Sequence, residues 1–253
     1  MPTELIVAVD VPNLEQASRV LDQLADSVRW FKVGLQLFTA AGPGVVREIR
    51  ARGGKVFLDL KFHDIPNTVA GAAESAAALG VEMFNVHASG GEAMMRAAVE
   101  AAQRQVKWGE LPSSPGSIAQ DSERDRKLTP LKSTAATRPL VIAVTILTSQ
   151  PAAEADVLKL ARSAKTSGLD GVVCSAREAL ALKREMGANF KLICPGIRPA
   201  WSEKGDQNRI VTPRDAVKAG VDFIVVGRPI LAAPNLAEAA KRVIEEMATE
   251  VKS

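Results

Sequence analysis

The chain has 253 residues, of which 47% are hydrophobic and 24% charged, with 32 Lys+Arg against 29 Asp+Glu. That composition excludes a disordered chain, a collagen-like repeat and a disulfide-stapled miniprotein, and the length suffices for a sizeable core. Charge is near balance without a basic stripe, Tyr is absent and aromatics total 4%, so nucleic acid is not an expected partner.

The opening MPTELIVAVD lacks a basic start and a long apolar stretch. Its short apolar run, 5–9, ends at Asp10 and reads as a strand and not a secretory leader. Similar β-branched runs follow at 30–33, 56–60, 83–86, 140–144, 171–174, 190–194 and 223–226, making eight. Helical apolar spacing fills 14–24, 69–79, 93–102, 157–164, 176–186 and 236–247. Buried parallel strands read as continuous apolar runs, and strand–helix alternation implies parallel βαβ units. Eight such units in a chain of this length predict an α/β fold, a single (β/α)₈ TIM barrel over 1–253. A doubly wound sheet is the alternative. It would carry a Gly-rich first turn, whereas this turn reads DVPN. The segment 105–138 breaks the rhythm, being polar, Pro/Ser-rich and of mixed charge. It reads as a polar surface insertion before the fifth strand, at the N-terminal face of the barrel.

Cys174 and Cys194 sit in apolar runs and fit a reducing cytosol, although a disulfide between them stays open. No metal-type spacing joins them to His63 or His87. No run approaches the roughly 20 apolar residues of a membrane span, so a cytoplasmic protein without a membrane partner is expected.

Chemistry in a barrel sits at the C-terminal strand ends. Those ends carry Asp10, Lys32, the cluster Asp59–Lys61–Asp64, His87, Thr148, Arg198 and Gly227–Arg228. On an extended strand Asp59 and Lys61 share a side, so the carboxylates of Asp59 and Asp64 are expected to converge with Lys32 and Lys61. A plain ion-pair network is the competing account. A carboxylate fixed beside a substrate anion raises its energy, by roughly 4 kcal/mol for unit charges about 4 Å apart at an effective dielectric near 20. A neighbouring Lys can protonate a developing carbanion. That pairing suits decarboxylation, and equally proton abstraction next to a carbonyl. The loops PGIRP (195–199) and GRP (227–229) follow the seventh and eighth runs, where barrels often bind phosphate. Glycine admits close backbone approach and Arg offers a bidentate fork. The polar loop 198–209 could close over a ligand. His63 alternates away from Asp59 and Lys61, which favours a structural role for it; His87 is read the same way.

DLKFHDIPNT (59–68) resembles the signature of the orotidine 5′-phosphate decarboxylase family, Asp-x-Lys-x-x-Asp-Ile-Pro-x-Thr. AVD, FKVG, NVHASGG, AVTILTS, GLDGVVCSA, PGIRP, GDQ and VVGRP resemble that family's bacterial members in order, over nearly the whole chain except 105–138. The resemblance implies a barrel homodimer that converts orotidine 5′-monophosphate to uridine 5′-monophosphate and CO₂, without metal or organic cofactor. By position, Lys61 would protonate C6 of the pyrimidine and Asp59 would destabilise the substrate carboxylate. Lys32 and Asp64 would complete an alternating charge network, Asp64 and Thr68 reaching across the dimer into the partner's site. Asp10 and Lys32 would hold the ribose hydroxyls, and Thr148 the pyrimidine edge. Arg228 with the Gly227 backbone would bind phosphate. Arg198 and Gln207 would belong to the closing loop, Gln207 bridging base and phosphate. The rival of the same superfamily is a magnesium-dependent sugar-phosphate decarboxylase or synthase. There the strand-two region supplies an acidic metal ligand, whereas this chain has Lys32. A phosphate-ligand sensor on a barrel does not need a carboxylate set against a substrate carboxylate. A dinucleotide oxidoreductase lacks its GxGxxG here.

Overall fold

The computed structural model describes residues 2–104, 138–147, 150, 153–202 and 211–248. Eight parallel strands close into one barrel in sequence order, β1 pairing with β8. They are β1 Glu4–Ala8, β2 Trp30–Gly34, β3 Lys55–Phe62, β4 Met83–His87, β5 Leu140–Val144, β6 Gly171–Val173, β7 Lys191–Cys194 and β8 Phe223–Val226. Each overlaps one of the eight apolar runs. The expected insertion at 105–138 lies, Arg138 apart, outside the described residues.

Helices cover the outside: α1 Leu14–Leu24, α2 Leu35–Ala41, α3 Gly44–Ala51, α4 Pro66–Ala78, α5 Gly91–Gln103, α6 Glu154–Thr166, α7 Ala179–Met186, α8 Pro213–Lys218, α9 Arg228–Leu231 and α10 Leu236–Ala248. The first begins where Asn13 caps it, its side chain accepting the Gln16 N–H at 2.9 Å. Its buried face is Ala17, Val20, Leu21 and Leu24, a spacing of three and four residues. No helix among the described residues is long and apolar enough to cross a membrane.

The strands divide their side chains between two cores. Val7, Val33, Leu58 and Phe84 face the helices, while Ile6, Trp30, Phe57, Met83, Ile142 and Phe223 fill the barrel interior. The Trp30 and Phe223 rings meet edge-on at 5.2 Å, and Trp30 Nε1 donates to Glu4 Oε2 at 3.1 Å. These rings close the interior toward the N-terminal strand ends and leave the C-terminal ends for polar side chains.

A device recurs before every second strand from β4 on. Glu82 accepts the Val56 N–H at 2.7 Å, Asp170 the Val141 N–H at 2.7 Å, and Asp222 the Leu192 N–H at 2.9 Å. Each acid thus caps the strand one place earlier in the barrel. Two residues upstream of each stands a glycine at positive φ, namely Gly80, Gly168 and Gly220, which ends the preceding helical segment where other residues are strained. Arg138 adds a two-pronged ion pair to Asp170, at 2.6 and 3.0 Å. Lys183 and Lys191 do the same for Asp222, at 2.6 and 3.0 Å. Burial opposes the Asp222 charge, but those two lysines and the Leu192 N–H outweigh it and hold the carboxyl below its ordinary range.

Cys174, just past β6, and Cys194, at the end of β7, are buried free thiols with their sulfurs 3.7 Å apart. The hydrogen bond to Cys194 and burial push the Cys174 thiol well above its usual value.

Candidate active site

Three neighbouring strands deliver a row of alternating charge to the C-terminal mouth. Lys32 on β2 pairs laterally with Ala8 and Phe57, both in the barrel interior, so its side chain points inward. Its Nζ stands 3.0 Å from Asp10 Oδ1, just past β1, and 3.3 Å from Asp59 Oδ2 on β3. On the other side of that carboxylate, Lys61 Nζ lies 2.6 Å from Asp59 Oδ1. The row reads Asp10, Lys32, Asp59, Lys61. Burial alone would lower Lys32, yet Asp59 and then Asp10 overcome it and hold the ammonium above its ordinary value. A Cβ on Gly34 would come within 3.1 Å of Lys32 Nζ and 3.4 Å of Asp10 Oδ1, so glycine there leaves room for the pair.

Two of the expectations change. Asp59 and Lys61 do meet, but not through regular extension. Lys61 has φ 52°, the only positive φ at a non-glycine among the described residues. Such a conformation costs about 1–2 kcal/mol in an L-residue. The β3–β4 register shifts there: Leu58 faces Phe84 and Phe62 faces Val86, so β3 spends more residues than β4 on the same span. Asp64, in turn, does not converge with the other three charges within this chain. The backbone leaves the barrel after Phe62, residues 63–68 are exposed, and Asp64 Oδ1 accepts the neighbouring Ile65 N–H at 2.6 Å. Among the described residues Asp64 forms no ion pair, and Asp10 takes its place in the row. Thr68 lies on the same exposed stretch, in the first turn of α4.

One residue here went unnoticed in the sequence. Asn85 on β4 is 1% exposed, and its amide touches both partners. Oδ1 accepts the Lys61 N–H at 2.8 Å, and Nδ2 donates to Asp59 Oδ1 at 2.7 Å. The orientation is fixed, because the N–H can only donate and an ionised carboxylate can only accept. A lone amide inside the apolar run MFNV was the available signal.

The His63 and His87 rings lie side by side, centroids 5.3 Å apart. Burial lowers His87, helped by His63 and Lys61 and opposed by Asp59. Gly227, past β8, is beside Asp10: its Cβ position lies 3.7 Å from Asp10 Oδ2. Arg228 follows on an exposed position as the first residue of α9. Arg198 is 7% exposed, its N–H bonded to Val211 O at 3.0 Å, next to an Ile197–Val211 bridge. Thr148 and Gln207 lie outside the described residues. Among the described residues, no group of three or more His, Cys, Asp or Glu side chains is placed to hold a metal ion.

A family model described as orotidine 5′-phosphate decarboxylase / HUMPS family matches residues 3–243. The chain belongs to this family. Among its decarboxylase-named relatives, the orotidine 5′-phosphate decarboxylase of Moorella thermoacetica is 42% identical, the match covering 96% of this chain and 92% of that one. The orotidine 5′-phosphate decarboxylase of Syntrophotalea carbinolica is 46% identical, over 98% and 96%. A crystal structure of orotidine 5′-phosphate decarboxylase from Lactobacillus acidophilus superposes with a TM-score of 0.76 at 34% identity, covering 98% of this chain and all of that one. The family likeness thus spans the barrel and the whole charge row.

Proposed function

We propose that the chain is a single-domain carboxy-lyase. It converts orotidine 5′-monophosphate to uridine 5′-monophosphate and CO₂, the last step of de novo UMP synthesis, without metal or organic cofactor. The carrying observation is Asp59 held between Lys32 and Lys61 at the barrel mouth. Asp59 faces the substrate carboxylate and raises its energy. The C6–carboxylate bond breaks, CO₂ departs, and the electron pair left on C6 takes a proton from the Lys61 ammonium. Lys32 counters the Asp59 charge and, with Asp10, holds the ribose hydroxyls. Thr148 contacts the pyrimidine edge. Arg228 and the Gly227 backbone hold the phosphate, remote from the reacting carbon. Its binding energy helps offset the stress at the carboxylate. Arg198 braces the loop that carries Gln207.

The active species in this reading is a cytoplasmic homodimer, with Asp64 and Thr68 completing the partner's site. The exposed stretch 63–68, with Ile65 65% exposed, supports it.

The test is loss of orotate absorbance on incubation with orotidine 5′-monophosphate, with and without EDTA, beside Lys61→Ala. Turnover that survives EDTA and vanishes in a folded Lys61→Ala protein is expected. No turnover by the parent protein would defeat the reading. A magnesium-dependent sugar-phosphate assay would then test the other activity of the superfamily.

A further inference from the structure

We propose that Asn85 is the positioning residue that sets the Lys61 ammonium against Asp59. The proposal rests on the decarboxylase reading above and adds a residue to it. Across the shifted stretch of β3, the Lys61 N–H donates to the Asn85 side chain. The same amide holds Asp59 through its other end. One buried side chain therefore fixes both the left-handed turn that aims Lys61 and the carboxylate it is aimed at. An amide does this without charge. An ionised carboxylate in its place would accept the Lys61 N–H but could not donate to Asp59, and would repel it. A side chain lacking both functions would release Lys61 from its turn and leave Asp59 short of a donor. Since Asn85 acts through these two residues, its loss should reduce kcat and spare the phosphate and ribose contacts that set KM.

The experiment compares the full-length parent, Asn85→Leu and Asn85→Asp, each checked for folding by circular dichroism and melting. For Asn85→Leu, kcat is expected to fall about 100-fold, the order of loss for misplaced reacting groups, with KM within about threefold of the parent. For Asn85→Asp, the protonated carboxyl reproduces both hydrogen bonds and the ionised one does not. Its kcat should approach the parent's on the acid side and fall at least about tenfold on the alkaline side, an ionisation absent from the parent profile. A merely structural role would not create that step. A folded Asn85→Asp protein whose kcat–pH profile superposes on the parent's overturns the proposal. Crystal structures of the variants supply a readout free of substrate. Lys61 is expected to leave its positive φ in Asn85→Leu, and a Lys61 still turned and still in contact with Asp59 overturns the proposal. If the parent itself does not decarboxylate orotidine 5′-monophosphate, the functional reading has failed, and the crystallographic comparison alone decides the positioning role.

Discussion

Replacing Lys32 by Met removes the one cation among the described residues that touches both carboxylates of the charge row. Its ammonium lies 3.0 Å from Asp10 and 3.3 Å from Asp59. At an effective dielectric near 20, each contact carries roughly 5 kcal/mol of attraction. The Asp10 share is small in practice, because 54% of that side chain is exposed and water screens it. Asp59 differs: 13% of its side chain is exposed, so little water screens it from the lost partner. Stripping one partner from a buried pair costs about 3–5 kcal/mol. Asp59 retains Lys61 and the Asn85 amide, which places the cost at the lower end, about 3 kcal/mol. For a chain of this size that lowers Tm by about 6–12 °C. Urea unfolding of Lys32→Met in two backgrounds isolates the cause. Against the parent the change should cost about 3 kcal/mol; against Asp59→Asn, where no charge is stranded, it should cost less than about 1 kcal/mol. Equal costs in both backgrounds would refute the reasoning, because they would mean that Lys32 acts by packing and not by charge.

Four further outcomes follow from the same geometry. Arg228→Ala should raise KM for orotidine 5′-monophosphate by about 10–100-fold, the worth of lost charge-assisted hydrogen bonds, with Tm unchanged; an unchanged KM would remove Arg228 from the phosphate site. Asp222 is held below its ordinary value, so its contribution is present above about pH 4 and disappears as acid protonates the folded carboxyl. The stability gap between the parent and Asp222→Asn should therefore be open at pH 6 and narrow as the pH falls below about 4, and a gap independent of pH would contradict this. His87 is lowered in the fold, so the unfolded chain takes up its proton first and stability declines as pH falls below about 6.5. His87→Gln should flatten that slope in melts between pH 7 and 5; an identical slope would count against it. Gly171→Ala places a Cβ 2.2 Å from the Lys191 carbonyl oxygen, where backbone meets backbone, and should cost at least about 1–3 kcal/mol. A variant as stable as the parent in urea would show that β6 and β7 can part there without penalty.

The barrel was legible because its strands are buried on both faces, which writes them as continuous apolar runs. The helix over 14–24 was legible for a different reason, its apolar residues recurring at helical spacing behind an Asn cap. Short helices were not. α3 starts beside Pro43 and Gly44, α8 has six residues and α9 four, too few turns to establish a period. At the site, residue types and strand ends located Asp10, Lys32, Asp59 and Lys61. Parity along β3 assumed uniform extension, and the left-handed Lys61 breaks that assumption. The register shift that compensates depends on β4, distant in sequence, so no local pattern announces it. Asn85 escaped for the same reason. Its meaning lies in partners 24 and 26 residues away.

The acids that precede β4, β6 and β8 sort the barrel into joined pairs. Glu82 ties β4 to β3, Asp170 ties β6 to β5, and Asp222 ties β8 to β7. Among the described residues, the seams between these pairs carry no such acid-to-backbone tie. The long polar stretch of the sequence, 105–138, enters after α5 and leaves before β5, at the seam between the first tied pair and the second. The charge row of Asp10, Lys32, Asp59 and Lys61 stands at the other end of the barrel, at the C-terminal ends of the strands. The side-chain ties between strands and the row of alternating charge thus occupy opposite ends of the same barrel.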